Sequence, residues 1–520
     1  MKRPSWILFV LLAAYILGAA YWLPRVRAQM NPDGISYISL AERYLAGDFA
    51  GALNGHWGPI FSWLLTPLLA LRIEPLLASK VQTFATGFAT LFGAWLWSSR
   101  YTQIVAVRGA VCAALAPLLL AWAATAVSPD LLIVCFLTYY AYFISDPAPS
   151  RRSTSLAAIF GALTYFAKSY GFVFFLIHFT LVCAGRWFCE EQGRRRREII
   201  HRFGLGLAVF LVFSLPWATA LSVKYGRPTF GTAGAYNFGL VGPANGPVGS
   251  QGHPMHLQGL LSPPDEHAVS AWDDPTYMRF PPWPSFAPSA QRISANVIEN
   301  IFVLCAVLNA ASRLVWPILT AALIIPFWRG GPTSRLVLAT LASGALYTAG
   351  YLPLLVEARY IWILSLLLLM IAAGLVDLVA QRFSLHTITA LLIAAAIAAS
   401  FIASPLASVP MPGEIERESA EIAQSLAADG IDLRQRSLAS DDHWAKTLYL
   451  AYFVRARYFG TILRGNPAEV RRQLDLHRID TFLVWAEQPA PPAYLDGFRA
   501  VPISTAGGRF ALYERAVAKP

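Results

Sequence analysis

Long apolar runs, separated by short loops that carry arginine and lysine, occupy most of the chain. A membrane-crossing helix needs about 20 predominantly apolar residues, and eleven runs approach this length. The predicted spans are 6–24, 76–98, 109–126, 130–146, 154–167, 170–187, 204–222, 311–328, 335–353, 360–380 and 387–404. The first run is long for the apolar core of a signal peptide, so we expect an uncleaved helix. The pattern predicts a polytopic α-helical membrane protein with about 11 transmembrane helices.

The composition agrees with this prediction. Of the 520 residues, 56% are hydrophobic and 14% are charged, and the mean hydropathy is +0.48. Such values are typical of integral membrane proteins. The net charge of +11 does not indicate nucleic-acid binding, because the basic residues lie in short loops between apolar runs. The five cysteines lack metal-site spacing, and we expect them to be small buried side chains.

The basic loops predict how the chain is oriented. Lysine and arginine collect at the cytoplasmic ends of membrane helices. Alternate loops carry the basic residues Lys2, Arg3, Arg100, Arg108, Arg151, Arg152, Arg186, Arg194, Arg195, Arg196, Arg197, Arg202, Arg329, Arg335 and Arg382. We therefore expect a cytoplasmic N-terminus, and an odd number of spans puts the C-terminus on the opposite, outer side.

The membrane domain is predicted to cover residues 1–405 and to carry two long outer loops, 25–75 and 223–310. The first loop contains two amphipathic stretches, 35–46 and 57–70, each able to lie on the membrane surface. The second loop is rich in glycine, proline and aromatic residues, which favours either a set of special turns or flexibility.

Residues 410–520 have a soluble character, with 14 basic and 14 acidic residues. Helix-like and strand-like patterns alternate there, and one predicted helix begins with Asn466 as its cap followed by Pro467. No glycine-rich phosphate loop opens a helix in this part of the sequence, which argues against nucleotide binding. The pattern predicts a small C-terminal α/β domain on the outer side.

Two aspartates stand near predicted span ends. Asp33, in "NPDGIS", is either a turn or cap residue for a helix starting near Ile35 or a general base. A carboxylate at the membrane boundary is partly desolvated, which raises its proton affinity and suits it to deprotonate an acceptor hydroxyl. Asp130, in "SPDLL", is likewise either a helix cap or a functional group at the mouth of a span.

Two cations stand at other outer span ends. Lys168, in "AKSYGF", is either a lysine that extends from a tight turn towards water or a phosphate ligand. The motif "VEARYIW" supplies Glu357, Arg359 and Tyr360. Arg359 either pairs with Glu357 or with lipid headgroups at the surface, or holds a substrate phosphate with both ends of its guanidinium.

Further outer residues are candidates for substrate contact: His56, Trp57, Tyr236, Asn237 and His253. Aromatic rings stack on sugars or line a prenyl groove, although membrane-interface belts and cores are their more common places.

The outer histidines also allow a metal site with Asp265, Asp273 or Asp274. None of the spacings is diagnostic of a metal, so plain loop histidines or hydrogen-bonding histidines are favoured.

The coincidence of these residues is more informative than any one of them. Two carboxylates, a lysine and an arginine come from four separate span ends that share one face of the membrane. An acid or base beside phosphate-binding cations at a membrane surface fits a lipid-phosphate substrate.

Four stretches, in this order, resemble the membrane-embedded glycosyltransferases of the GT-C superfamily: "NPDGISYISLAERYLAGDFAGALNGHWGPIFSWLLTP", "SPDLL", "AKSYGF" and "EARYIW". In particular they resemble bacterial members of the protein O-mannosyltransferase and aminoarabinose-transferase type (glycosyltransferase 39-like). The resemblance covers residues 1–405, and its first stretch is the most specific.

The resemblance implies an enzyme that transfers a sugar from a polyprenyl-phosphate donor to an acceptor on the periplasmic face of the bacterial inner membrane, with inversion. It implies that Asp33 is the catalytic base, that Asp130 matches the family's aspartate of the second outer segment, and that Lys168 and Arg359 lie near the donor phosphate. Members often carry two adjacent acids in the first loop, whereas here Gly34 follows Asp33. This departure favours the metal-independent type, with no required cofactor, over one that uses a divalent metal.

Two other classes of protein compete with an enzyme. A transporter or flippase of a lipid-linked sugar should place polar groups near mid-membrane in broken helices. Here the candidates cluster at outer span ends, and Asp377 near the inner end of the tenth span is the main exception. The other class is a scaffold with a periplasmic binding domain.

The predicted topology can be tested by cysteine labelling in a variant without the five natural cysteines. Single cysteines at positions 33 and 359 should react with an impermeant reagent from the same side, and one at position 151 from the other side. Labelling of positions 33 and 359 from different sides would contradict a shared site.

Overall fold

The computed structural model describes residues 6–240, 259–277, 290–328, 330–407, 413–463, 465–485, 492–503 and 510–516. Up to residue 240 the α-helices are α1 (Trp6–Val26), α2 (Pro32–Ala46), α3 (Phe49–Ala52), α4 (Pro59–Ala70), α5 (Pro75–Ser98), α6 (Val105–Thr125), α7 (Asp130–Ile144), α8 (Arg151–Ala167), α9 (Tyr170–Phe188), α10 (Gly193–Tyr225) and α11 (Ala233–Leu240). They are followed by α12 (Ala290–Ala311), α13 (Val315–Ile324), α14 (Pro332–Ala349), α15 (Trp362–Arg382), α16 (Thr387–Ala407), α17 (Glu414–Ala428), α18 (Trp444–Val454) and α19 (Pro467–Leu476). Short 3-10 turns occupy Ala271–Asp273, Pro275–Tyr277, Ile325–Trp328, Ala358–Ile361 and Ala493–Leu495.

Each predicted span coincides with a helix, although at 311–328 the helix α13 continues as a 3-10 turn. Among the described residues, six helices are long and apolar enough to cross a membrane: α1, α6, α9, α10, residues 293–311 of α12, and α15 with the turn before it. The predicted α-helical membrane architecture is therefore confirmed, whereas the count of about 11 crossings stays a prediction.

Helix α15 forms the centre of the bundle. It is buried along nearly its whole length and packs against α6, α7, α13, α14 and α16. We call the end of the bundle that carries Asp33, Asp130, Lys168 and Arg359 the outer end. Because α15 starts there, directly after the turn that holds Arg359, the most buried helix fixes the position of this arginine.

The two amphipathic stretches of the first outer segment form α2 and α4, as predicted. Proline at the first helical position starts each helix, since proline has no amide hydrogen that would need a partner there. Helix α2 ends at Gly47, whose φ of 81° is the left-handed conformation that glycine adopts without strain. Helix α2 packs against α4 and the turn Ala271–Asp273, and α4 packs against α2, α5 and α8, so both helices are part of the packed structure.

Helix α12 occupies the last part of segment 223–310, which the sequence had assigned to an outer loop. Its first half contains Asn296, Glu299 and Asn300, and these polar residues hide the apolar character of the whole stretch. The amides of Asn296 and Asn300, four residues apart, donate to the carbonyls of Pro353 (3.1 Å) and Leu352 (2.8 Å). Both asparagines are buried, and hydrogen bonds to the chain that leads into the Arg359 turn satisfy their amides.

The C-terminal α/β domain matches the prediction for the described part of residues 410–520. Strands β1 (Ser437–Ser440), β2 (Arg457–Thr461), β3 (Thr481–Val484), β4 (Phe498–Val501) and β5 (Ala511–Arg515) form one sheet in the order β2-β1-β3-β5-β4. Strands β2, β1 and β3 are parallel, and β5 pairs antiparallel with both β3 and β4. The side chain of Asn466 accepts a hydrogen bond from the amide of Ala468, which confirms the predicted cap of α19.

Close packing of α1 on α5 generates a test of the bundle. A Cβ atom on Gly87 of α5 would overlap the Tyr15 hydroxyl of α1, whereas a Cβ on Gly185 of α9 would meet nothing within 4 Å. We expect Gly87→Leu to lower the free energy of unfolding by about 1–3 kcal/mol, as overpacking does, and Gly185→Leu to leave it unchanged. Thermal unfolding of both variants in the same detergent makes the comparison, and equal stabilities would contradict this packing.

Candidate active site

Asp33 lies in the first turn of α2. The cap position belongs to Asn31, so the interpretation of Asp33 as the helix cap is wrong. The side chain of Asn31 instead accepts a hydrogen bond from the amide of Val127 (2.9 Å), and a Cβ on Gly34 would come within 2.7 Å of Val127 Cβ. The "NPDG" stretch therefore allows α2 to approach the start of the Asp130 helix closely.

The Asp33 carboxylate is buried and bound on both oxygens. Its Oδ2 accepts a hydrogen bond from Nη1 of Arg359 at 2.6 Å, and its Oδ1 accepts one from the indole Nε1 of Trp272 at 3.1 Å. Only 9% of the residue is exposed. Position in the first turn of a helix also favours a negative charge.

Asp130 lies beside this pair and is even more buried. Its Oδ2 accepts from the Ser128 hydroxyl at 2.7 Å, and its Oδ1 forms a short ion pair with Nζ of Lys168. Nη1 of Arg359 is 3.7 Å from Asp130 Oδ2, so one guanidinium nitrogen contacts both aspartates. Neither aspartate is a helix cap, because the cap positions belong to Asn31 and Pro129.

Lys168 stands at the break between α8 and α9, where it is the C-cap of α8. Its Nζ lies 3.5 Å from the centre of the Tyr360 ring, a geometry that favours a cation over an aromatic face. Burial lowers the pKa of Lys168, and the nearby Asp130 charge opposes this effect. The lysine is therefore a half-buried member of the charged cluster and does not extend freely to water.

Arg359 carries one further ion pair. Its Nε donates to Oε2 of Glu357 at 2.8 Å. The predicted pair with Glu357 is therefore present together with the bond to Asp33. Three carboxylates and two cations thus share one site, and residues from four separate chain segments supply them.

An aromatic wall adjoins the cluster. The His56 ring lies 4.4 Å from that of Trp57, 5.0 Å from Tyr236 and 5.9 Å from Trp272, measured between ring centres. Burial lowers the pKa of His56 to about 4, so the imidazole is neutral near pH 7. Its Nδ1 is buried without a hydrogen-bond partner among the described residues. Such an atom is available to a ligand hydroxyl.

The remaining predicted residues are not all part of this cluster. Asn237 follows Tyr236 in α11 and makes no side-chain hydrogen bond to another described residue. His253 lies outside the described residues. Of the residues weighed for a metal site, Asp265 pairs with Arg43 and Asp273 accepts from Ser39. The described parts of the chain contain no group of three histidine, cysteine or acidic residues placed to hold a metal ion.

Sequence reasoning missed Trp272, the indole that contacts Asp33 across 239 positions of sequence. No local spacing marks this residue in its segment. It also missed the hydrogen bonds by which Asn296 and Asn300 hold the chain before Arg359. The sequence does contain a signal for these bonds. Two amides four residues apart in a largely apolar stretch predict one polar stripe on a helix.

Comparison with solved structures identifies the fold. ArnT from Cupriavidus metallidurans, solved with bound undecaprenyl phosphate, shares 13% identity and a TM-score of 0.56, with 97% of each chain covered. The oligosaccharyltransferase AglB from Archaeoglobus fulgidus, solved with an inhibitory peptide and a dolichol-phosphate, shares 10% identity and a TM-score of 0.55 over 92% of this chain and 69% of that one. Both are GT-C glycosyltransferases, and the present chain has the GT-C fold that its sequence predicted. No family model matches the sequence, and no curated protein does.

The shared guanidinium predicts non-additive stability. Arg359→Met leaves two buried carboxylates without their common partner and should lower the free energy of unfolding by about 3–5 kcal/mol. The same substitution in an Asp33→Asn background should lower the free energy of unfolding by less, because one of the unpaired buried charges is absent. Chemical unfolding of the wild type, both single variants and the double variant in one detergent measures this difference. An equal cost in both backgrounds would show that the Asp33–Arg359 pair does not exist.

Proposed function

We propose that the protein is an inverting glycosyltransferase that moves a sugar from a polyprenyl-phosphate donor to a hydroxyl acceptor on the periplasmic face of the bacterial inner membrane. The observation that carries this proposal is the buried cluster of Asp33, Lys168 and Arg359 at one end of an apolar bundle with the GT-C fold. The acceptor class is a lipid, a glycan or a protein.

The charge balance of the cluster supports a specific order of events. Two cations face three carboxylates, so a donor phosphate adds further negative charge and must replace a carboxylate at Arg359. Asp33 is the carboxylate to be replaced at Nη1, since Asp130 keeps Lys168 and Ser128 as partners and Glu357 pairs with Nε instead. A buried carboxylate that loses its cation binds a proton more strongly. Donor binding therefore turns Asp33 from an ion-pair partner into a base.

The transfer step is a single displacement. Asp33 takes the proton of the acceptor hydroxyl while the hydroxyl oxygen forms a bond to the anomeric carbon. The bond between that carbon and the phosphate oxygen breaks, and the lipid phosphate leaves with both electrons. Lys168 and Arg359 stabilise the negative charge that develops on the phosphate. Attack from the side opposite the phosphate inverts the anomeric configuration.

A long apolar slot supports a lipid-linked donor. A cavity of about 1360 Å³ lies between α7, α9 and α14, with apolar side chains along most of its walls. Its outer end includes Tyr347, whose hydroxyl donates to the Tyr360 carbonyl at 3.0 Å, and its other end includes Arg202 and Arg335. A prenyl chain in this slot would have its phosphate beside Tyr360, where Lys168 and Arg359 are. The lipid phosphates bound to ArnT and AglB are of the same chemical class.

The aromatic wall is the proposed place for the sugar. Trp57 and Tyr236 present rings that suit the apolar faces of a sugar. The unpartnered Nδ1 of the neutral His56 is a hydrogen-bond acceptor or donor for a sugar hydroxyl, depending on its tautomer.

We propose that no metal or other cofactor is required, since Lys168 and Arg359 supply the positive charge that a leaving phosphate needs. A divalent metal would have to take the carboxylates from these two cations. Activity that survives EDTA supports this part of the proposal, and activity restored only by added metal would overturn it.

The decisive substitution is Asp33→Asn. It removes the base but keeps the shape of the side chain, so transfer from a polyprenyl-phosphate sugar should fall by about 10²–10⁴-fold. Asp48→Asn is the matched control, because Asp48 lies in the same outer segment and, among the described residues, its carboxylate accepts one hydrogen bond, from the Gly51 amide. A transfer assay with purified protein and a panel of polyprenyl-phosphate sugars makes the measurement.

Two results would contradict the proposal. One is full transfer activity in Asp33→Asn. The other is movement of a lipid-linked sugar between leaflets by both wild type and Asp33→Asn without transfer, which would indicate a flippase.

A further inference from the structure

The C-terminal domain is joined to the candidate active site by residues 259–277, which we call the bracing segment. Strand β2 is at one edge of the domain's sheet, and the bracing segment covers that edge. The amide of Tyr458 donates to the Val269 carbonyl at 2.7 Å, and the amide of Leu261 donates to the Phe459 carbonyl at 2.6 Å. Ser270 pairs with Tyr458 as a parallel bridge. The segment therefore extends the sheet with a short sixth stretch of extended backbone beside β2.

The same segment is anchored on α2 at two points. Asp265 accepts two hydrogen bonds from the guanidinium of Arg43, at 2.7 and 2.8 Å. Asp273 accepts from the Ser39 hydroxyl at 2.7 Å. A bidentate pair of this kind fixes the relative orientation of the two side chains as well as their distance. Helix α2 and the sheet edge thus hold the bracing segment from opposite sides.

Between these anchors the segment places Trp272 against Asp33. The Trp272 carbonyl accepts from the Ser36 hydroxyl at 3.1 Å and from the Trp57 indole at 3.0 Å, so the backbone at this position is fixed. Its own indole Nε1 then donates to Asp33 Oδ1. This bond occupies one carboxylate oxygen and leaves Oδ2 directed at Arg359.

We propose that Trp272 is a positioning residue for the base Asp33, and that the C-terminal domain holds it in place through the bracing segment. This inference rests on the proposed glycosyltransferase function. When the phosphate of the substrate binds Arg359, the Trp272 indole continues to donate its hydrogen bond to Asp33 and so keeps the carboxylate oriented. Oδ2 then faces the acceptor hydroxyl instead of rotating away from it. The C-terminal domain therefore contributes to the rate of the chemical step and not to donor binding.

The test is a split between kcat and KM in the full-length protein. Trp272→Phe keeps an aromatic ring but removes the N–H donor, so kcat should fall about 10- to 100-fold, as for a lost hydrogen bond to a charged group, with donor KM unchanged. Trp485→Phe is the matched control. Its buried indole donates to the Thr447 hydroxyl at 2.8 Å inside the C-terminal domain, so that variant should keep the wild-type kcat.

A second pair of variants tests the anchor of the bracing segment on α2. Asp265→Ala removes the anchor to Arg43 and should lower kcat, whereas Asp265→Glu keeps the charge and should restore much of it. Thermal unfolding of each variant checks that the protein remains folded.

The inference is overturned if Trp272→Phe keeps the wild-type kcat, or if it raises donor KM at unchanged kcat, which would make Trp272 a ligand contact. An Asp265→Glu variant as slow as Asp265→Ala would overturn the role of the Asp265 anchor on α2 in placing Trp272. These failures differ from failure of the proposed function, which would appear as full activity in Asp33→Asn.

Discussion

The Arg359 guanidinium, shared by Asp33, Asp130 and Glu357, is the interaction on which the rest of the site depends. Each of these groups would be costly to bury alone, because a charge away from water needs a partner of opposite sign. Their pairing explains why four distant chain segments meet at one end of the bundle. The most buried helix, α15, begins right after the arginine, and the two asparagines of α12 hold the chain before it.

The same pairing gives the site a resting state. With Asp33 bound to a cation, the carboxylate is a poor base, and a hydroxyl that enters alone is not activated. In the proposed reaction, the phosphate of the donor removes that restraint by binding Arg359. In the proposed reaction, the aromatic wall contacts the sugar, the apolar slot holds the lipid chain, and the bracing segment orients the released carboxylate.

The sequence predicted the parts of the molecule that short-range physics determines. Apolar runs marked the helices, alternating patterns marked the C-terminal domain, and Asn466 with Pro467 marked the start of α19. The four charged residues Asp33, Asp130, Lys168 and Arg359 were predicted to meet because they follow span ends on one side, and the structure brings them together. The GT-C resemblance is confirmed as a fold, whereas orientation in the membrane stays a prediction.

What the sequence did not predict depends on contacts between remote segments. Trp272 reaches Asp33 only because residues 259–277 lie between α2 and the sheet edge, and nothing near Trp272 in sequence encodes that. Helix α12 was assigned to a loop because its buried amides look polar until their partners at residues 352–354 are known. The bond between Asp33 and Arg359 was also not predicted, because spacing along the chain shows which charges lie near one another but not which of them pair.

The most direct test of the central claim is an experimental structure of the protein with a bound polyprenyl-phosphate sugar. We expect the phosphate within hydrogen-bond distance of Lys168 and Arg359, and the Arg359 Nη1 to Asp33 Oδ2 distance lengthened from 2.6 Å to beyond hydrogen-bond range. A phosphate bound elsewhere, with the Asp33–Arg359 pair intact, would contradict the account.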